Sequence, residues 1–184
     1  MSQGRLFQDA PVGPVGFRYQ NDEVTSEEEQ KLIKEIQKIP LKTWIHKGYE
    51  SKKKIRSYTK ETGFPEFLKP LFKRTAHFAG ILPSSIHHAL ITEYSPGTSI
   101  GWHRDGEAEV VIGISFGTAV SFRLRKLPEK FDAKSNKRKW EHITVTAEPR
   151  SAYIMSGESV KRWQHSISRV PDWRYSLTIR TVEK

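Results

Sequence analysis

The sequence predicts a mainly β chain with flanking helices (α+β), its strands arranged as a sandwich or jelly roll. Three observations lead there. Helical spacing of apolar residues is confined to the part before Ile86. From Ile86 onward, short runs rich in β-branched and aromatic residues alternate with Gly, Pro and Ser turns. Many short strands at such spacing solve their edge problem by packing as two sheets or closing on themselves.

Residues 1–18 hold Gly4, Pro11, Gly13, Pro14 and Gly16 and read as an irregular N-terminal arm, leaving 19–184 as a single domain. Ser26-Glu-Glu-Glu29 is a capping-box pattern, and Leu32, Ile33, Ile36 and Ile39 fall on one helical face. A helix is expected over about 26–38, stopped by Pro40. Residues 41–62 change character, with Trp44, Tyr49 and Tyr58 interleaved among Lys42, Lys47, Lys52, Lys53, Lys54, Arg56 and Lys60. That mixture suits a surface that holds phosphates and stacks a base, or a solvated hairpin with its aromatics turned inward. A second helix is expected from Pro65 to about Phe78, with Leu68, Leu71 and Phe72 inward.

Strands are expected at 86–94, 100–103, 109–116, 119–127, 140–147, 151–155, 163–168 and 175–182. The stretch 123–139, with Arg123, Arg125, Lys126, Lys130, Lys134, Lys137, Arg138 and Lys139, is expected as a basic loop or hairpin extension.

With 184 residues the chain is large enough to bury a core. It has no apolar run of membrane-spanning length and no signal-peptide core at Met1 to Asp9, so no membrane association is expected. It has no cysteine, which excludes disulfides, thiolate zinc sites, iron–sulfur ligation and cysteine nucleophiles. The cytoplasm is the expected compartment, a nuclear one being left open, and a monomer is the default. The formal net charge of +10 favours a polyanionic partner, most simply nucleic acid (DNA or RNA).

His103, Asp105, His165, Arg174 and Arg180 carry the chemistry. A strand puts residues i and i+2 on one face, so His103 and Asp105 can point at one ion. Two imidazoles and one carboxylate are the ligand set of a non-haem Fe(II) site with open positions. The even spacing of Arg174 and Arg180 places both on one strand face, and two guanidinium groups beside an open iron suit a co-substrate with two carboxylates. The same three ligands suit catalytic zinc, but His-Glu-x-x-His is absent and the arginines would then lack a purpose. His46, His77, His87, His88 and His142 have no carboxylate at matching spacing and read as surface or packing residues.

The stretch from Tyr94 through Ser95-Pro96-Gly97 to His103-Arg-Asp105 resembles the AlkB family of Fe(II)/2-oxoglutarate dioxygenases. So do Arg150 to Ser159, Trp163-Gln-His165-Ser-Ile167, and Arg174-Tyr-Ser-Leu-Thr-Ile-Arg180. The resemblance implies a double-stranded β-helix (jelly roll) with Fe(II) held by His103, Asp105 and His165. Arg174 would pair with the distal carboxylate of 2-oxoglutarate. Arg180 would lie near its C1 carboxylate and Asp105, and Tyr94 would hydrogen-bond the co-substrate. The segment 41–62 occupies the place of that family's nucleotide-recognition lid, which makes Trp44, Lys53, Lys54, Arg56 and Tyr58 candidate substrate contacts. Glu107, just past the ligand Asp105, would face the target base or solvent. Thr92 and Ser176 stand where many members carry asparagine, so smaller hydroxyl side chains take those places in the co-substrate pocket.

The implied activity is oxidative removal of N-alkyl groups from nucleic-acid bases, on single-stranded or flipped substrates, releasing succinate, CO2 and an aldehyde. Two alternatives are the same chemistry on a protein or other substrate, and a nucleic-acid-binding module with weak catalysis.

Overall fold

The structure is a computed structural model that describes residues 13–46, 48–126 and 140–182. Its first part runs β1 (Phe17–Gln20), α1 (Ser26–Gln37), β2 (Lys42–His46), β3 (Tyr49–Thr59) and α2 (Lys69–Ala79). There follow β4 (Ile86–Tyr94), β5 (Ile100–His103), β6 (Ala108–Gly117), β7 (Val120–Lys126), β8 (Glu141–Ala147), β9 (Ala152–Ser156), the single turn α3 (Glu158–Lys161), β10 (Gln164–Ile167) and β11 (Arg174–Val182). The strands form two antiparallel sheets. The larger has the order β1-β9-β6-β11-β4-β3-β2 and the smaller β5-β10-β7-β8. Consecutive strands cross repeatedly from one sheet to the other, which makes the architecture a jelly roll.

Alternation along each strand divides the larger sheet into two faces. On β11, Tyr175, Leu177 and Ile179 join Ile91, Ile112, Ile114 and Ile154 in a core under the helices, closed by Ile36, Leu71 and Phe72. Arg174, Ser176, Thr178 and Arg180 alternate with them and face the other way, into the space between the sheets. The floor of that space is a second core, in which Phe122, Leu124 and Val145 of the smaller sheet meet Val111, Tyr153 and Met155 of the larger.

Gly113 on β6 marks a close approach. A Cβ there would lie 2.2 Å from Cε1 and Cζ of the Tyr153 ring. Gly113→Ala should therefore displace Tyr153, at about 1–3 kcal/mol of overpacking. The check is a thermal melt, in which Tm should fall by several degrees.

Three expectations are corrected. Phe17 and Arg18 belong not to an irregular arm but to β1, which pairs with β9; residues 1–12 lie outside the described residues. The helix cap is Thr25, one residue before the expected Ser26. Its side chain accepts from the Glu28 backbone N–H, and the Glu28 carboxylate accepts from the Thr25 backbone N–H. Glu29 is instead buried against the end of β6, accepting 2.9 Å from the Gly117 backbone N–H. The second helix is preceded by a 3-10 turn at Glu66–Leu68 and starts at Lys69, ending at Gly80 with φ of 72°. Segment 41–62 forms the hairpin β2-β3, which adds two strands to the larger sheet beside β4. The basic extension beyond Lys126, residues 127–139, lies outside the described residues. No helix among the described residues is long and apolar enough to cross a membrane.

Candidate metal centre and co-substrate pocket

The space between the sheets opens as a cavity of about 750 Å³. His103 and His165 are direct partners across β5 and β10, their ring centroids 4.2 Å apart. Asp105 follows β5 by two residues, and its Oδ2 lies 3.3 Å from His165 Nε2. One ligand atom from each of the three lies within 4.8 Å of the others, and no other such cluster occurs among the described residues.

The protons are placed to leave lone pairs toward that point. The Gly101 carbonyl can only accept, and it lies 2.9 Å from His103 Nδ1. That bond puts the His103 proton on Nδ1 and leaves Nε2 with its lone pair. His165 is buried, and burial pushes its imidazole down to about 4 despite the neighbouring Asp105 carboxylate. It is therefore neutral at neutral pH, the form a metal needs. Burial alone would raise the Asp105 carboxyl. The Arg180 guanidinium, with His165 and His103 beside it, outweighs burial and holds it below the ordinary value.

Arg180 is itself held on two sides. Its Nε and Nη2 donate to Asp105 Oδ1 at 3.0 and 2.5 Å. Its Nη1 lies 2.9 Å from His88 Nδ1. A guanidinium can only donate, so His88 Nδ1 accepts. The other His88 nitrogen, Nε2, meets Ser57 Oγ at 2.7 Å. Burial, then the Arg180 charge, lowers the His88 pKa, consistent with a neutral ring.

Arg174 is 1% exposed and carries the site's most informative vacancy in hydrogen bonding. One nitrogen, Nη2, donates 2.8 Å to Ser115 Oγ. Among the described residues, its Nε and Nη1 are buried without a partner. Two unsatisfied donors on a fully buried cation cost several kcal/mol unless an anion arrives. The guanidinium lies over the Tyr94 ring, 4.8 Å from its centroid, and the Tyr94 hydroxyl is 3.1 Å from Ser176 Oγ. Thr92, also buried, lines the same cavity.

The family model described as the 2OG-Fe(II) oxygenase superfamily matches residues 5–180. The chain belongs to this superfamily. It is an Fe(II)/2-oxoglutarate-dependent oxygenase. It is 25% identical over 193 residues to uncharacterized protein L905 of Acanthamoeba polyphaga mimivirus, covering 92% of this chain and 86% of that one. It is 31% identical over 94 residues to mouse alpha-ketoglutarate-dependent dioxygenase alkB homolog 3, covering 46% of this chain and 32% of the mouse protein. The matched part is thus a third of that relative's length. The solved structure of OsALKBH1 shares the fold at TM-score 0.65 and 15% identity, over 95% of this chain and all of that one. A Pseudomonas putida prolyl-4-hydroxylase does so at TM-score 0.62 and 13% identity, over 91% of this chain and 93% of that one.

The residues of this superfamily member fit the cofactors its family uses. The His-Asp-His cluster suits Fe(II) with positions to spare. The unsatisfied Arg174 fork suits a carboxylate in bidentate fashion, buried at the far side of the same cavity.

The substrate candidates divide by strand parity. Lys53 lines the cavity, as does Trp44, and Lys53 Nζ lies 5.0 Å from the centroid of the Trp44 ring. Lys54, Arg56 and Tyr58 occupy the opposite face of β3. There Tyr58 packs against the helix-side core, Arg56 lies over the Tyr58 ring, and Lys54 pairs with Glu93 at 3.4 Å. Glu107 sits in an exposed turn outside the cavity lining. His88, read from the sequence as a packing residue, lines the cavity and braces Arg180. Register alone would have found it, since His88 is the direct partner of Arg180 across β4 and β11.

Proposed function

We propose that this oxygenase oxidatively removes N-alkyl groups from bases in nucleic acid, acting on single strands or on bases flipped out of a duplex. The observation that carries the reading is the pairing of Trp44 and Lys53 on the wall of the cavity that contains the triad. An indole offers a stacking face to a base, and an ammonium beside it offers a phosphate contact. The net charge of +10 and the resemblance to AlkB proteins support the same substrate class.

In this reading His103, Asp105 and His165 would hold Fe(II). Arg174 takes the distal carboxylate of 2-oxoglutarate with its two free donors, and Tyr94 and Ser176 supply hydroxyls beside it. Arg180 keeps Asp105 ionised and oriented, and would offer its charge to the C1 carboxylate. Thr92 fills the polar wall between. Fe(II) and 2-oxoglutarate together supply an O2-dependent oxidation of the N-alkyl C–H bond, with succinate and CO2 released and the alkyl carbon leaving as an aldehyde. The base must leave its stack to reach the cavity, so mismatched, damaged or single-stranded positions cost least. The β2-β3 hairpin acts as the lid-like element over it.

The test is a panel of N-methylated single- and double-stranded oligonucleotides with Fe(II) and 2-oxoglutarate. Demethylated strands are read by mass spectrometry, and formaldehyde and succinate are read alongside. Formaldehyde matched to strand product is expected, with single strands faster. Succinate released without any oligonucleotide product would transfer the chemistry to a protein or other substrate.

A further inference from the structure

The outer face of the smaller sheet holds a cluster that the catalytic reading does not use. On β7, Arg123 and Arg125 alternate with the core residues Phe122 and Leu124 and so point away from the cavity. Each is anchored by one nitrogen only. Arg123 Nε donates 3.0 Å to Ser166 Oγ, and Arg125 Nε donates 2.8 Å to Gln164 Oε1. The terminal nitrogens of both forks have no protein partner, and neither arginine has a carboxylate partner, among the described residues.

Aromatic rings lie against these forks. The Arg125 guanidinium is 4.3 Å from the centroid of the Trp102 ring and 4.1 Å from that of Trp140. The Arg123 guanidinium is 5.2 Å from Trp102, whose ring meets His142 edge-on at 6.0 Å. Trp102 precedes the ligand His103 on β5, and the wall of the cavity includes it.

We infer that this face is a platform for a single-stranded nucleic-acid segment flanking the target base. The inference takes its substrate class from the proposed function. Anchoring at Nε fixes each fork while leaving its outer edge to grip a phosphate. Two indoles and an imidazole beside the forks offer rings on which bases stack without regard to sequence. An acidic peptide would pair with the arginines and leave the rings idle, which is why a nucleic-acid strand fits better. Trp102 joins the platform to the cavity mouth, so a strand lying there continues toward the site of oxidation.

The experiment is fluorescence anisotropy of a labelled oligothymidylate across a salt series, with labelled polyglutamate as the rival probe. Two variants are compared with the parent. Arg123→Gln/Arg125→Gln removes both forks. Thr144→Glu keeps both arginines with their Ser166 and Gln164 bonds and sets a carboxylate at the exposed position directly opposite Arg123 on β8. Both should weaken oligothymidylate binding by about tenfold or more and lower the salt slope by about one to two. Thr144→Glu serves as the decisive variant if loss of the arginines unfolds the sheet. Unchanged affinity in Thr144→Glu, or polyglutamate binding as tightly as the oligonucleotide, would overturn the platform. The two readings fail separately. If the variants lose strand binding but no methylated strand is ever demethylated, the platform stands and the proposed reaction falls. If the parent demethylates strands and Thr144→Glu does so with the same KM, the reaction stands and the platform falls.

Discussion

Arg174→Met should abolish turnover at ordinary 2-oxoglutarate concentrations and yet give a protein that melts no lower than the parent when no 2-oxoglutarate is present. The first half follows from burial. Removing one partner of a buried, hydrogen-bonded charge pair costs about 2–5 kcal/mol. That is about 30- to 5,000-fold, and it should appear in the KM for 2-oxoglutarate. The second half follows from the two donors that have no partner among the described residues. A well-packed methionine replaces an uncompensated charge, which is neutral or stabilising. Melting with and without 2-oxoglutarate separates the two effects. The co-substrate should raise Tm of the parent, because it binds only the folded state, and leave the variant unmoved. A variant that keeps the parent KM would mean that the distal carboxylate is held elsewhere.

The second large effect is expected at Asp105. Asp105→Asn preserves shape but removes the charge that faces both the metal point and Arg180. It should lower Fe(II) affinity and succinate formation together by at least about 10²- to 10³-fold, equivalent to about 3–5 kcal/mol for a broken buried pair. Titration with Co(II), followed by its visible absorption, reads the metal site without reference to turnover. His88→Ala offers a contrast, because it leaves the three donors intact and removes the brace on Arg180 together with the Ser57 bond. Its loss should be of the order of the 10- to 100-fold seen for groups that orient metal ligands. Equal losses in the two variants would contradict a direct ligand role for Asp105.

The strands after Ile86 were readable because their side chains alternate between two buried faces with turns between them. The His-x-Asp pair is readable as a ligand pair, but not by a shared strand face: β5 ends at His103, and Asp105 reaches the same point from the residues that follow. Substrate contacts were harder. Residues 52–56 read as one basic run, but β3 sends Lys53 into the cavity and Lys54 and Arg56 to the opposite side. Composition cannot decide which parity faces in; only the pairing of Lys53 with Tyr94 and Lys54 with Glu93 does so. His88 was hidden for a related reason, since its partner lies 92 positions away in the chain. The helix start was ambiguous because Thr25-x-x-Glu28 and Ser26-x-x-Glu29 both satisfy the same pattern. The tie is broken by Arg150 and Gly117, which claim Glu29 for the sheet end.

The hairpin β2-β3 hangs at the border of the larger sheet, with β2 outermost. The metal donors and the arginine forks come from β5, β10, β11 and the turn after β5, none of which depends on β2. Under the proposed function, substrate contact by Trp44 sits on the outer strand β2, and the metal donors belong to the smaller sheet and the turn after β5. An exchanged β2 of the same length, with β3 and its Ser57–His88 contact kept, should alter what is oxidised and leave the metal point in place.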